Sequence, residues 1–325
     1  MTIREGRGAR RAVDVVERPV VVGVDGSNGG MEAVDRAADE ARHRGLPLRV
    51  VYASLWERYE GRVPSWTTRR APETAEAERI VAGAVRRAER RAPGVKAVPH
   101  IAPQDAVTAL TEAARSAELL VVGHRGRGEL ASLLLGSVSL GVAARARCPV
   151  LVVRGDRRAG GHHGVWESAG DGVMPGTAFR PAPEYRVVVG VDEEPRDDAP
   201  VAFAFAEAAL RHGAVETVHA WRCGGSGLPE EGGPCHGRRE DHERRAAGLL
   251  DEAARAAVAA HPDVPLMLRT AEGTARDVLL TASTTADLLV VGTERRRGAH
   301  GLQLGLTDHA VLHHAHCPVA VVPHR

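Results

Sequence analysis

The chain has 325 residues, about twice the length of a typical domain, so its length favours two compact units. Hydrophobic residues at 43% and charged residues at 26% are ordinary values for a soluble globular protein. The formal net charge of +1 and the aromatic content of 3% give no support to nucleic-acid binding, which needs basic surfaces and stacking platforms. Lys96 is the only lysine, which excludes a phosphate loop of the Gly-Lys-Ser/Thr type.

Targeting signals and metal motifs are not evident in the sequence. Residues 1–19 contain no apolar stretch long enough for a signal peptide, and no later run approaches the length of a membrane helix. We therefore expect a cytoplasmic protein with no membrane partner. No spacing of His and Cys fits a tetrahedral metal site, so none is predicted. Cys148 and Cys317 lie in matching Cys-Pro-Val strings, which predicts that both are buried core residues.

The predicted elements of the first half alternate between strands and helices. In chain order they are strand 20–24, helix 31–44, strand 48–53, helix 74–91, strand 95–101, helix 104–116, strand 119–122, helix 137–145 and strand 150–153. The strands are continuous Val and Leu runs without polar alternation, which is typical of a parallel sheet covered on both faces. The pattern predicts a doubly wound α/β fold.

The second half repeats this plan. The string VVVGVDGS at 20–27 returns as VVVGVDEE at 187–194, an offset of 167 residues. Around the fourth strand the offset is 169, and 118–153 shares 16 of 36 positions with 287–322, which chance does not give. The predicted organisation is a first domain at 18–154, a linker rich in Gly, Pro and Arg at 155–184, and a second domain at 185–325.

The loops after the first and fourth strands form the candidate site, because open parallel sheets bind ligands beyond the strand ends where the strand order reverses. Glycines there allow close backbone approach and leave N–H groups for anions. Gly136 and Ser137 open a helix, which predicts a phosphate site, and Ser137 is a candidate N-cap. The candidate residues are Asp25, Gly26, Ser27, Ala53, Gly123, His124, Arg125, Gly126, Arg127, Gly128, Gly136, Ser137, Val138 and Ser139.

One of these loops resembles a known signature. The string G-x-x-G, nine further residues and G-S, from Gly123 to Ser137, resembles the ATP-binding signature of the universal stress protein family. The string VVGVDGS and the segment from Gly123 to Arg154 are also similar to that family. The resemblance covers both predicted domains and implies the adenine nucleotide alpha hydrolase-like fold, with two doubly wound, five-stranded parallel sheets in a pseudo-twofold tandem.

The resemblance also implies a position for ATP. Asp25 and Ala53 would lie against adenine and ribose, Ala53 through its backbone. An acid there suits a sugar hydroxyl or an amine and would repel a triphosphate, although Asp25 could instead cap the first helix. The phosphates would be held by Gly123, Gly126, Gly136, Ser137 and Val138. Mg²⁺ on the phosphate oxygens would need few protein ligands.

The second domain departs from the signature. Arg295 stands in place of the second glycine, Leu306 replaces the serine, and Thr307 replaces the valine. The acidic string 192–194 adds negative charge, which is unfavourable for an anion. We therefore expect a degenerate nucleotide site in the second domain.

The expected function is an ATP-binding regulatory protein of the stress response, with little or no hydrolysis. A slow ATPase stays open, because Arg125 and Arg127 could contact a phosphate and His124 could act as a base, although we expect His124 to be solvated. An oxidoreductase is a further alternative, but Asp25 stands where a dinucleotide fingerprint needs glycine. A pure interaction module is a third.

The resemblance finally predicts how the domains pair. Since the family dimerises through its last strand, strands 150–153 and 319–322 would pair antiparallel within the chain and cover each other's edges. A further homodimer and other protein partners stay open.

Overall fold

The computed structural model describes residues 18–54, 70–124, 135–154, 185–193, 197–222, 236–294 and 304–324. The predicted linker 155–184 lies outside the described residues. Within the described part, no helix is both long and apolar enough to cross a membrane.

The first half follows the predicted order of elements. Its strands are β1 Val20–Gly23, β2 Leu48–Ala53, β3 Ala97–Ala102, β4 Leu119–Gly123 and β5 Val150–Val153. Its helices are α1 Asn28–Arg44, α2 Arg70–Arg91, α3 Ala106–Ala113 and α4 Ser137–Ala143, with a 3-10 turn at Ala114–Ser116.

The second half repeats these elements. Its strands are β6 Arg186–Gly190, β7 Ala214–Trp221, β8 Leu266–Glu272, β9 Leu288–Glu294 and β10 Val319–His324. Its helices are α5 Ala199–Ala209, α6 His236–Ala260, α7 Ala275–Ala282 and α8 Leu306–His314.

Three helices of the first half begin away from their predicted starts: α2 begins at Arg70 rather than at residue 74, and helix caps explain the other two. α1 begins before residue 31 because Ser27 caps it, its Oγ accepting from the Gly30 amide at 3.1 Å. α3 begins only at Ala106, because Asp105 is in extended conformation and its carboxylate accepts from the Thr108 amide at 3.0 Å. In both cases a polar side chain satisfies an amide that the helix leaves unpaired.

The strands form one continuous sheet. Their order is β3-β2-β1-β4-β5-β10-β9-β6-β7-β8, ten strands among the described residues. Neighbours within each half are parallel, whereas β5 and β10 pair antiparallel with Leu151 opposite Ala320. The structure therefore has the two five-stranded parallel sheets that were predicted, joined by the predicted pairing of the last strands.

Helices cover both faces of this sheet. α1, α2, α5 and α6 pack on one face, against alternate strand residues such as Val20 and Val187. The other face carries α3, α4, α7 and α8, and includes Cys148 and Cys317, which are buried as predicted. Because both buried clusters contain residues of both halves, the hydrophobic core continues across the junction between the domains.

A ring of charged side chains joins α1 to α5 on the first of these faces. Glu40 accepts from Arg44 of its own helix and from Arg211, which follows α5. Glu207 accepts from Arg211 at 2.7 Å and from Arg44. Glu40 and Glu207 are equivalent in the two copies, as are Arg44 and Arg211, since each pair is separated by 167 residues. Each arginine thus bridges the acids of both domains.

The two acids of the ring are buried. Glu40 and Glu207 are 0% and 2% exposed. Burial alone would raise the pKa of Glu40, but Arg36, Arg44 and Arg211 hold it at about 2, well below its ordinary value of 4.5. An acid whose pKa is lower in the folded state stabilises the fold at any pH above its pKa in the unfolded state. This contribution is lost as the pH falls toward 2. Glu40 is therefore ionised at neutral pH, whereas burial and the neighbouring Glu40 raise the pKa of Glu207.

We predict that Arg44→Met lowers the free energy of unfolding by about 2–3 kcal/mol, because it leaves two buried carboxylates with fewer counter-charges. Urea unfolding at neutral pH measures this loss. Arg255→Met is the matched control, since Arg255 pairs with Asp251 and Glu252 on an exposed face of α6. The control should cost less than about 1 kcal/mol. Equal losses in the two variants would contradict a structural role for the ring.

Candidate functional site

The candidate residues lie where the strand order of the first domain reverses. The chain runs from β1 outward through β2 to β3, then returns to β4 on the other side of β1. β1 and β4 are parallel neighbours, with Val22 opposite Val121. The loops that leave their carboxyl ends are therefore adjacent, which is the usual position of a ligand in this class of fold.

Asp25 and Ser27 form a tight turn after β1. The Asp25 Oδ1 accepts from the Ser27 amide at 2.9 Å and from the Ser27 hydroxyl at 2.6 Å. Gly26 between them has φ of 84°, in the left-handed region that favours glycine. The cap of α1 is thus Ser27, not Asp25, and Asp25 holds that cap in place.

Gly123, at the end of β4, lies against the start of α1. A Cβ added to Gly123 would meet the Gly29 carbonyl oxygen at 2.5 Å and the Gly30 amide nitrogen at 3.1 Å. No larger residue fits without moving the backbone, so this glycine is required by the packing of α1 on β4. Because the helix was predicted to begin at residue 31, Gly29 and Gly30 were expected in the loop after β1, but both lie in α1.

His124 lies inside the protein, which corrects the expectation of a solvated side chain. It is 7% exposed. Its backbone amide donates to the Val153 carbonyl at 2.7 Å, and its carbonyl accepts from the Gly136 amide at 2.9 Å. The first hydrogen bond extends the pairing of β4 with β5 by one residue. The second closes the loop that leaves β4, so that Gly136 returns to the strand end.

α4 begins at Ser137, and its N-cap is Gly136, so the prediction of Ser137 as the cap was wrong. Ser137 is exposed at the first helical position, and Val138 is half-buried. Ser139 is buried, and its hydroxyl donates to the Gly123 carbonyl at 2.7 Å. Ser139 therefore fixes the helix to the strand end, and Ser137 is the hydroxyl that faces solvent.

The remaining candidates divide into two groups. Ala53 is half-buried and is the last residue of β2. Val51 pairs with Gly23 of β1, so Ala53 lies two residues beyond the end of β1. Its backbone therefore lies beside the turn at Asp25. The loop residues Arg125, Gly126, Arg127 and Gly128 lie outside the described residues.

The second domain has an acid at the equivalent helix start, which the sequence reading missed. Asp308 stands 169 residues after Ser139. Its carboxylate accepts from the amide of Gly305, the N-cap of α8, at 3.2 Å. Burial raises the pKa of Asp308 to about 6, and nearby Asp192 adds to this shift. At neutral pH the carboxylate is mostly ionised and occupies the amide that a phosphate would need.

The other departures of the second domain agree with this arrangement. Leu306, in place of Ser137, is 95% exposed and offers no hydroxyl. Asp192 and Glu193 are exposed beside the same strand ends. Glu194 and Arg295 lie outside the described residues. Asp192 is the equivalent of Asp25. The second strand-order reversal therefore differs by the added carboxylates of Glu193 and Asp308, and an anion would meet more like charge there than at the first.

Comparisons with known proteins agree with this architecture. The model of the universal stress protein family matches residues 17–154 and again 185–323. A universal stress protein of Mycobacterium tuberculosis is 33% identical over 317 residues, which cover 93% of this chain and 96% of the relative. A second relative, from Mycolicibacterium smegmatis, is 29% identical and covers 94% of this chain and 97% of its own length.

A solved structure shares the whole fold. The crystal structure of a universal stress protein from Archaeoglobus fulgidus superposes with a TM-score of 0.60, covering 94% of this chain and 98% of the other, at 17% identity. The two family matches and the relative of 33% identity show that the chain belongs to the universal stress protein family and carries two of its domains in tandem.

Proposed function

We propose that the first domain binds ATP and that the second binds none, so that the chain acts as an ATP-binding regulatory protein of the stress response. The observation that supports this most is the asymmetry of the two strand-order reversals. The first combines Gly123, Gly136 and an exposed Ser137, whereas the second places the Asp308 carboxylate at the same point. The family membership of both domains adds to this support.

The residues of the first site suit the two ends of the nucleotide differently. Asp25 uses Oδ1 for the turn at Ser27, and its Oδ2 would accept a hydrogen bond from a ribose hydroxyl. The Ala53 backbone would face the base. Gly136 and Ser137 would contact phosphate oxygens through an amide and a hydroxyl. Mg²⁺ would be held mainly by phosphates and water, because few carboxylates lie near.

We predict that Ser137→Leu, which copies the residue of the second domain, lowers the affinity for ATP by at least about tenfold. The substitution removes a hydroxyl and adds bulk at the start of α4, worth about 1.4 kcal/mol or more. Isothermal titration calorimetry with ATP, in the presence and absence of Mg²⁺, measures the change. Titrations with AMP and NAD test the nucleotide class.

Leu306→Ser is the matched control. Leu306 is almost fully exposed, so its replacement should leave the fold and the ATP affinity unchanged, and Asp308 would still fill the second site. Wild-type affinity in Ser137→Leu, with an unchanged circular dichroism spectrum, would contradict the proposed phosphate site.

We further expect ATP to be held without rapid turnover. Fast hydrolysis needs a positioned base for water, and His124, the candidate from the sequence, is buried at the strand end. Phosphate release should stay far below the roughly 1–100 s⁻¹ of dedicated phosphoryl-transfer enzymes. A phosphate-release assay on purified protein measures this rate. Turnover within that range, abolished by His124→Ala, would show instead that the first domain is an ATPase.

A further inference from the structure

A histidine of the second domain reaches the loop that leads into the candidate phosphate site. The Nδ1 of His313, in α8, accepts from the amide of Leu135 at 3.2 Å. Leu135 is 7% exposed and directly precedes Gly136. It belongs to the same buried cluster as Val311 and Leu312 of α8. The contact therefore crosses from the second domain to the first beside the hydrophobic core.

Two successive amides of this loop are thus held from opposite sides. The Leu135 amide donates to His313, and the Gly136 amide donates to the His124 carbonyl. The guanidinium of Arg154, which follows β5, donates to the Leu312 carbonyl and ties the last turn of α8 to the first domain. These bonds fix the backbone immediately before Ser137.

The equivalent contact, from the first domain to the second, cannot form. At the offset of 169 residues, Leu135 corresponds to Leu304 and His313 corresponds to Ala144. Alanine has no acceptor side chain, so the pseudo-symmetric bond to the Leu304 amide cannot form. The second domain therefore supplies this acceptor to the first domain, and Ala144 cannot supply the equivalent one in return.

We propose that His313 is a positioning residue for the nucleotide site of the first domain, acting through the Leu135 amide. The inference rests on the proposed function, since it assigns the second domain a part in ATP binding by the first. A backbone that is already fixed at Leu135 and Gly136 favours ligand binding, because a larger fraction of the protein is competent to bind.

The bond requires a neutral imidazole, because a protonated Nδ1 cannot accept. Burial lowers the pKa of His313, and the neighbouring His309, His314 and Arg154 lower it further. All three neighbours are basic, so they oppose protonation and keep the acceptor available at neutral pH. Once the pH falls below this depressed pKa, the bond breaks, and the affinity for ATP should fall with it.

The test compares three variants of the full chain. His313→Ala copies Ala144 and removes the acceptor, His313→Asn keeps an acceptor that does not titrate, and His314→Ala removes an exposed neighbour as the control. Calorimetry with ATP at about pH 7.5 and about pH 5 gives the affinities. Hydrogen exchange of the Leu135 amide in nucleotide-free protein gives a readout that does not depend on ATP.

We expect His313→Ala to weaken ATP binding about fivefold to tenfold at pH near 7.5 and to accelerate exchange at Leu135. His313→Asn should restore the affinity. Its affinity should also fall less than that of the wild type between about pH 7.5 and about pH 5, because asparagine does not titrate. Protonation of ATP affects the affinity of both proteins equally, so the difference between them reports on His313 alone. His314→Ala should match the wild type at pH near 7.5, where His313 is neutral.

Two outcomes would overturn the inference separately from the proposed function. Wild-type affinity and wild-type exchange in His313→Ala would do so, as would a failure of His313→Asn to restore the affinity at about pH 7.5. If the wild type bound no adenine nucleotide at either pH, the proposed function would fail and the inference with it.

Discussion

The antiparallel pairing of β5 with β10 is the interaction on which the rest of the molecule depends. It covers the edges that two separate five-stranded sheets would expose, and it lets one hydrophobic core run through both domains. The same pairing sets α1 beside α5, which closes the ring of Glu40, Arg44, Glu207 and Arg211. It also brings α8 to the loop before α4. Because both domains belong to one chain, they stay paired even when their sequences diverge.

That divergence gives the two domains different tasks in our account. The first keeps the glycines that α1 needs for close packing and an exposed Ser137 at the start of α4. The second keeps glycines at the positions of Gly123 and Gly136, but it has Leu306 in place of Ser137 and adds Asp308, whose carboxylate accepts from the Gly305 amide where an external anion would otherwise bind. His313 then gives the second domain a contact that a symmetric pair of first domains would lack, since Ala144 stands at the equivalent position. The ring, by contrast, keeps its symmetry, because it serves both domains equally.

Much of the fold could be predicted from the sequence, because strand patterns of Val and Leu and a repeat at a fixed offset depend on local periodicity. Helix starts were less predictable, since a cap such as Ser27 is recognised only from its bond to the Gly30 amide. At the site, the glycine spacing indicated the right loops, but burial of His124 depends on residues distant in the chain. Two further features could have been found in the sequence. Asp308 is an acid at the third position of a helix, and the ring corresponds to a Glu-x-x-x-Arg string repeated at an offset of 167 residues.

The central claim is that one adenine nucleotide binds per chain, in the first domain. Native mass spectrometry of the full chain, with ATP added in excess over a range of concentrations, measures the occupancy of each species directly. The account predicts saturation at one ATP per chain in the wild type. Saturation at two ATP per chain would contradict it, because the second domain would then bind a nucleotide despite the carboxylate of Asp308.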